Sequence, residues 1–168
     1  IGDKTLRIWK TNYKKLPYQS TLLWNGIQHS INHIISIPNQ TNYIAYTTVA
    51  GMLAIYDLKY QNKIQEIQVH KKIIYRIQYI TDNLFYTLGS DGKLKSIQFH
   101  TYQEKPSIQM IKNYIKTTET TLKCSDFIVN ISLKLLILAY NNGSIEIYRY
   151  PYVEEEEPLF IFHQQKKL

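Results

Sequence analysis

The chain has 168 residues, 44% of them hydrophobic, with 20 Lys and Arg against 13 Asp and Glu, a formal net charge of +7. That length and apolar content suffice for one domain with a substantial core. No run approaches the ~18 apolar residues of a membrane helix and no charged-then-apolar leader appears. The single cysteine, Cys124, excludes an internal disulfide framework and a Cys-based zinc site, and a reducing, intracellular setting is expected.

The chain opens on Asp3-Lys4-Thr5-Leu6-Arg7-Ile8-Trp9, a polar turn running into a short alternating strand. Worn copies follow at Ala50-Gly51-Met52-Leu53-Ala54-Ile55-Tyr56, Asp91-Gly92-Lys93-Leu94-Lys95-Ser96-Ile97 and Asn142-Gly143-Ser144-Ile145-Glu146-Ile147-Tyr148. Their closing residues are spaced by 47, 41 and 51, close to the ~40–45-residue period of a WD40 blade. With no initiator Met and a start inside a repeat, the chain reads as a piece of a longer protein.

Between the copies, short extended runs dominate. Ile31–Ile37, Ile73–Ile80 and Ser125–Leu133 each supply an opening strand. Tyr43–Thr47, Leu84–Leu88 and Leu135–Tyr140 are apolar runs just before each turn, as in strands covered on both faces. Lys63–Val69 alternates Ile64, Ile67 and Val69 with polar residues, the pattern of a more exposed outer strand. In Pro106–Thr121, Ile108, Ile111 and Ile115 lie at helical spacing, so either a short helix or an elaborated outer strand is expected there. Leu159–Phe162 reads as the outer strand of another blade.

Four strands per period make an all-β fragment of a β-propeller: a blade end at 1–24, blades at 25–69 and 70–121, and a last blade at 122–168 whose outer strand is incomplete or shared. Such a fragment does not close a ring, so flanking blades of the same chain are expected partners.

Several segments then resemble the first propeller of the gem-associated protein 5 family. They are Leu23-Trp24-Asn25-Gly26 followed by Pro38 and Ala45-Tyr46, Val69-His70-Lys71-Lys72-Ile73-Ile74-Tyr75, and Asn142–Tyr148, with a longer insertion near Lys112–Lys116. The resemblance runs from about residue 2 to Pro151. It implies an RNA-binding propeller that recognises the Sm-site and cap of small nuclear RNA. It also implies delivery of that RNA to the survival-of-motor-neuron complex, in the cytoplasm and also the nucleus. The alternative is a WD40 protein-interaction scaffold with no RNA role, since fold alone does not choose.

Single-stranded RNA needs cations for phosphate and aromatic faces for bases. Lys71, Lys72, Tyr75 and Arg76 form the densest such combination, and Trp24 precedes the equivalent loop one blade earlier. Packing is the default role of Tyr75, which falls in a predicted strand, and of Trp24 beside Leu22. The family tends to carry an aromatic where Leu23 stands and lysines around Gln28 and Ser30, which weakens the transfer of RNA contacts to that blade. The net charge points to phosphate chains or acidic proteins, although biased base composition in the gene yields the same abundance of Ile, Asn, Lys and Tyr.

Other patterns imply structure rather than chemistry. His29 and His33 are four apart, but Ser30 replaces the zincin Glu and the segment reads as strand, so no metal is expected. Gly89-Ser90-Asp91-Gly92-Lys93 lacks P-loop spacing and leads into a strand, which makes it a turn. His70 and His163 stand where WD40 repeats carry a structural Gly-His pair, here without the Gly. Glu154–Glu157 is a solvated connector. No nucleophile elbow or acid–base constellation appears, so neither an enzyme nor a cofactor is expected.

Overall fold

The computed structural model describes residues 5–10, 19–24, 26–38, 40–81, 83–100, 106–114, 122–152 and 156–163. These residues form four antiparallel sheets. The first is the pair β1 (Leu6–Lys10) and β2 (Gln19–Trp24). The second runs β3 (Ile31–Ser36), β4 (Tyr43–Thr48), β5 (Met52–Asp57), β6 (Asn62–Gln68) in spatial order. The third runs β7 (Ile74–Tyr79), β8 (Leu84–Gly89), β9 (Leu94–His100), β10 (Ser107–Tyr114). The fourth runs β11 (Cys124–Asn130), β12 (Leu135–Tyr140), β13 (Ile145–Arg149), β14 (Phe160–Phe162).

The sheets stack face to face, and the period-2 alternation of each strand sends its side chains to two different cores. In β4 and β5, Ala45, Leu53 and Ile55 meet Ile74, Ile77, Phe85, Ile97 and Phe99 of the third sheet. Their neighbours Tyr46, Ala54 and Tyr56 pack the other way, on Leu6 and Ile27. Likewise Tyr86, Leu88 and Leu94 of the third sheet meet Phe127, Val129, Leu136 and Leu138 of the fourth. The central strands therefore read as unbroken apolar runs because both faces are covered. The cross-strand row Ile128, Ile137, Ile147 and Phe160 on the far face of the last sheet has no described sheet against it, and its end members are exposed.

One open alternative is settled and two expectations change. Of the two readings of the 107–114 segment the outer strand holds: it is β10, and pairing with β9 satisfies its backbone from His100 to Leu94. A bulge between Met110 and Lys112 accommodates the irregular spacing of its isoleucines. Phe160–Phe162 does not begin another blade; it pairs with Ile145–Ile147 as the fourth strand of the last sheet. The opening blade end holds two paired strands rather than one.

In each of the three four-stranded sheets the inner strand, β3, β7 or β11, starts from the same rim. That rim collects the turns at 49–51, 90–93 and 141–144, together with the connectors leading into β3, β7 and β11. This arrangement positions the candidate site.

Candidate nucleic-acid interface

The repeated glycine turns are seats for the connectors. Gly51 has φ +83°, a region that favours glycine, and a methyl group there would overlap the backbone carbonyl oxygens of His70 and Lys72. The 69–73 connector thus lies directly on the turn of the preceding sheet, held by bonds from Val69 N and His70 N to the Gly51 carbonyl, at 3.0 and 3.1 Å. Lys71 and Lys72 are lifted to the surface at its crest, both exposed. One sheet on, Lys123 packs its Cβ 2.8 Å from where a side chain at Gly92 would begin, and it too is exposed.

His70 anchors this connector from beneath. Its ring is buried, with Nδ1 2.9 Å from Asp91 Oδ1 and Nε2 3.0 Å from Thr87 Oγ1. The carboxylate accepts from Nδ1–H, so Nε2 of the neutral ring accepts the Thr87 hydroxyl. Burial pushes the imidazole pKa below its usual value, and Asp91 opposes that shift without cancelling it. Gly89 makes room, since a side chain there would collide with the His70 ring. The glycine absent before His70 is thus supplied from β8, while His163 is exposed.

Where β7 leaves the connector, a β-bulge falls between Ile74 and Arg76. Tyr75 is the extra residue and is 50% exposed, which overturns the expectation that it packs. The physical reason is the bulge: an unpaired residue is re-aimed out of the sheet's alternation. The same irregularity recurs between Ile31 and His33 and between Cys124 and Asp126, at the same place in each inner strand. The residue after each of the first two bulges reaches the next sheet. His33 Nε2 donates to the Tyr75 carbonyl at 2.6 Å, and Arg76 Nη1 donates to Asp126 Oδ2 at 3.2 Å. His33, Tyr75, Arg76, Ile77, Ser125 and Asp126 line one open cleft of about 710 Å³.

No protein-family model matches the chain. It is 25% identical over 169 residues to gem-associated protein 5 of Homo sapiens, a match that covers 90% of the chain and 11% of that protein. The β-propeller domain of Cps50 (Swd1) from Myceliophteria thermophila superposes with a TM-score of 0.74 at 10% identity, over 97% of this chain and 54% of that one. A chain of the mitotic checkpoint complex gives a TM-score of 0.66 at 10% identity, over 96% of this chain and 46% of that one. The fold is that of a WD40 β-propeller. The segment spans about half of each of those chains.

Of the five sequence-selected residues, the propeller rim brings four together: Lys71 and Lys72 on the connector, Tyr75 and Arg76 on the adjoining bulge. Trp24 ends β2, before the equivalent connector, but the role expected of its side chain lies outside the described residues. Lys14 and Lys15 also lie outside them. Sequence reasoning missed His33, Ser125 and Asp126 as neighbours of the site. A signal for them existed: Ile31-Asn32-His33, Ile74-Tyr75-Arg76 and Cys124-Ser125-Asp126 each place one inward residue ahead of two polar or aromatic ones.

The Thr87–His70–Asp91 chain has the connectivity of a nucleophile triad but not its access. Thr87 is fully buried, and Asp91 Oδ1 also accepts the Lys93 amide at 3.1 Å to close the turn. Asp57 is likewise structural, with Oδ1 accepting from Lys59 N and Tyr60 N at 2.7 and 3.0 Å. Burial pushes the Cys124 thiol up to about 12, which makes it a poor nucleophile. Among the described residues no group of three metal-ligating side chains converges.

Proposed function

We propose that this segment contributes an RNA-recognition rim to a ribonucleoprotein-assembly factor, taking single-stranded, uridine-rich small nuclear RNA. The observation that carries the reading is the exposure of Lys71, Lys72 and the Tyr75 ring on one rim, with Tyr75 lining an open cleft. Cations there meet phosphates, and an exposed ring gives a base a stacking surface worth about 1–3 kcal/mol. The 25% identity to gem-associated protein 5 supports the ligand class and, with it, cap recognition, hand-over to the survival-of-motor-neuron complex, and a cytoplasmic and nuclear setting.

The test is crosslinking and filter binding of the full chain to capped, uridine-rich RNA and to a scrambled control. Preference for the uridine-rich strand at physiological salt is expected, and parity with the control at that salt sinks the reading. Replacing Lys71 and Lys72 together by Ala should weaken binding and flatten the log–log salt dependence by about 0.7 for each phosphate no longer neutralised. A second reading, a protein-interaction scaffold, is favoured by the opposite rim, where the Tyr60 and Leu133 side chains stand exposed in turns.

A further inference from the structure

The rim that presents Lys71, Lys72, Lys93 and Lys123 to solvent also carries a carboxylate where it is least expected. Asp126 follows the bulge of β11 and is half-exposed, its side chain at 53%. It belongs to the same ring of positions as His33 and Arg76, one per inner strand. Each makes a contact with a neighbouring sheet on this rim. A guanidinium offers five N–H donors in a planar fork that suits phosphate. The contact with Asp126 engages one of them, from Nη1, and places a negative charge beside the fork, inside the cleft that Tyr75 also lines.

We infer that Asp126 is a built-in competitor for Arg76, an intramolecular carboxylate that an incoming phosphate oxygen must displace. The inference rests on the RNA-rim reading and deepens it. Both partners are substantially exposed, 40% and 53%, and the contact is monodentate at 3.2 Å. Water and salt screen such a pair, so it is easily exchanged. Asp126 is nonetheless fixed in place by its own backbone: Oδ1 accepts the Phe127 amide at 2.9 Å, while Oδ2 is left to meet Arg76. The carboxylate is therefore a standing rival rather than a wandering one. A simple anion must be more concentrated to displace it, and a ligand that also gains from Tyr75 and the connector lysines displaces it at lower concentration. Asp126 sets selectivity through Arg76.

Two measurements on the full chain test this. In the first, the affinity for an oligouridylate is compared for wild type, Asp126→Asn, Arg76→Ala and the double variant. Removing an exposed pair corresponds to up to about a fivefold change. Asp126→Asn is expected to bind about two- to fivefold tighter, Arg76→Ala to bind more weakly, and the double variant to match Arg76→Ala. Unchanged affinity for Asp126→Asn overturns the inference, as does the same gain without Arg76, which would reduce the effect to net charge. In the second, inorganic phosphate is titrated while the Arg76 side-chain N–H resonance is followed. The midpoint is expected at lower phosphate in Asp126→Asn than in wild type, and coincident midpoints overturn the competition. Because that readout needs no RNA, failure of oligouridylate binding alone counts against the RNA reading and not against the competition.

Discussion

Replacing Gly51 by Ala tests the coupling between a repeat turn and the rim it supports. Two costs add. At φ +83° an L side chain is held in the left-handed region, at about 1–2 kcal/mol. The new methyl also overlaps the carbonyl oxygens of His70 and Lys72, which are backbone atoms and cannot rotate away. Forcing such atoms apart costs about 1–3 kcal/mol by analogy with overpacked cores. The expected total is about 2–5 kcal/mol, read as a fall in the urea midpoint of the full chain at unchanged slope. The displaced connector carries Lys71 and Lys72, so RNA affinity should fall in the fraction that remains folded. A drop below about 1 kcal/mol would falsify the claim that the connector is seated on this turn. Gly89→Ala provides the contrast. It lacks the positive φ, and its methyl meets the buried His70 ring and Cβ, so its cost comes from that overlap and from the Asp91 and Thr87 bonds the displaced ring gives up.

Other outcomes follow from the same geometry. The His70 pKa lies below its unfolded value near 6.5, chiefly through burial, so the unfolded chain takes up the proton first. Stability from this group is complete above that value and falls as pH drops from there through the folded pKa. The denaturation midpoint of wild type relative to His70→Gln should decline over that window, and a flat difference refutes the linkage. Phe127→Ala empties a buried site against Tyr86, whose ring lies 6.3 Å away, and should cost about 3–5 kcal/mol by denaturant melt. Residues 1–168 expressed alone should associate and melt broadly, because the face with Ile128, Ile145, Phe160 and Phe162 lies open to solvent. A soluble monomer with a sharp transition refutes that.

Much of the architecture is legible along the chain because propeller strands are local. The runs Tyr43–Thr47 and Leu84–Leu88 announce strands covered on both sides, and the structure buries them so. Glycine turns at 51, 92 and 143 are fixed by φ, a property one residue carries by itself. The 107–114 segment is ambiguous in sequence because isoleucines three and four apart fit a helix as well as a bulged strand, and only the hydrogen-bond partner β9 decides. Phe160–Phe162 reads from sequence both as part of the 122–168 blade and as a strand of another blade, because three residues hold no information about which edge they join.

The site divides along the same line. Lys71, Lys72, Tyr75 and Arg76 stand out as a run because they are neighbours in sequence, four side chains within six positions. What each does is not visible there. Tyr75 faces outward because a bulge breaks the alternation that would have buried it. Arg76 meets Asp126 from 50 residues away because two inner strands stack in step. The sequence by itself determined the strands, the turns that space them and the residues that cluster locally. Only the tertiary structure decided which charges oppose one another across the rim cleft, since a contact between sheets depends on their stacking and register, and neither is written in any single stretch of chain.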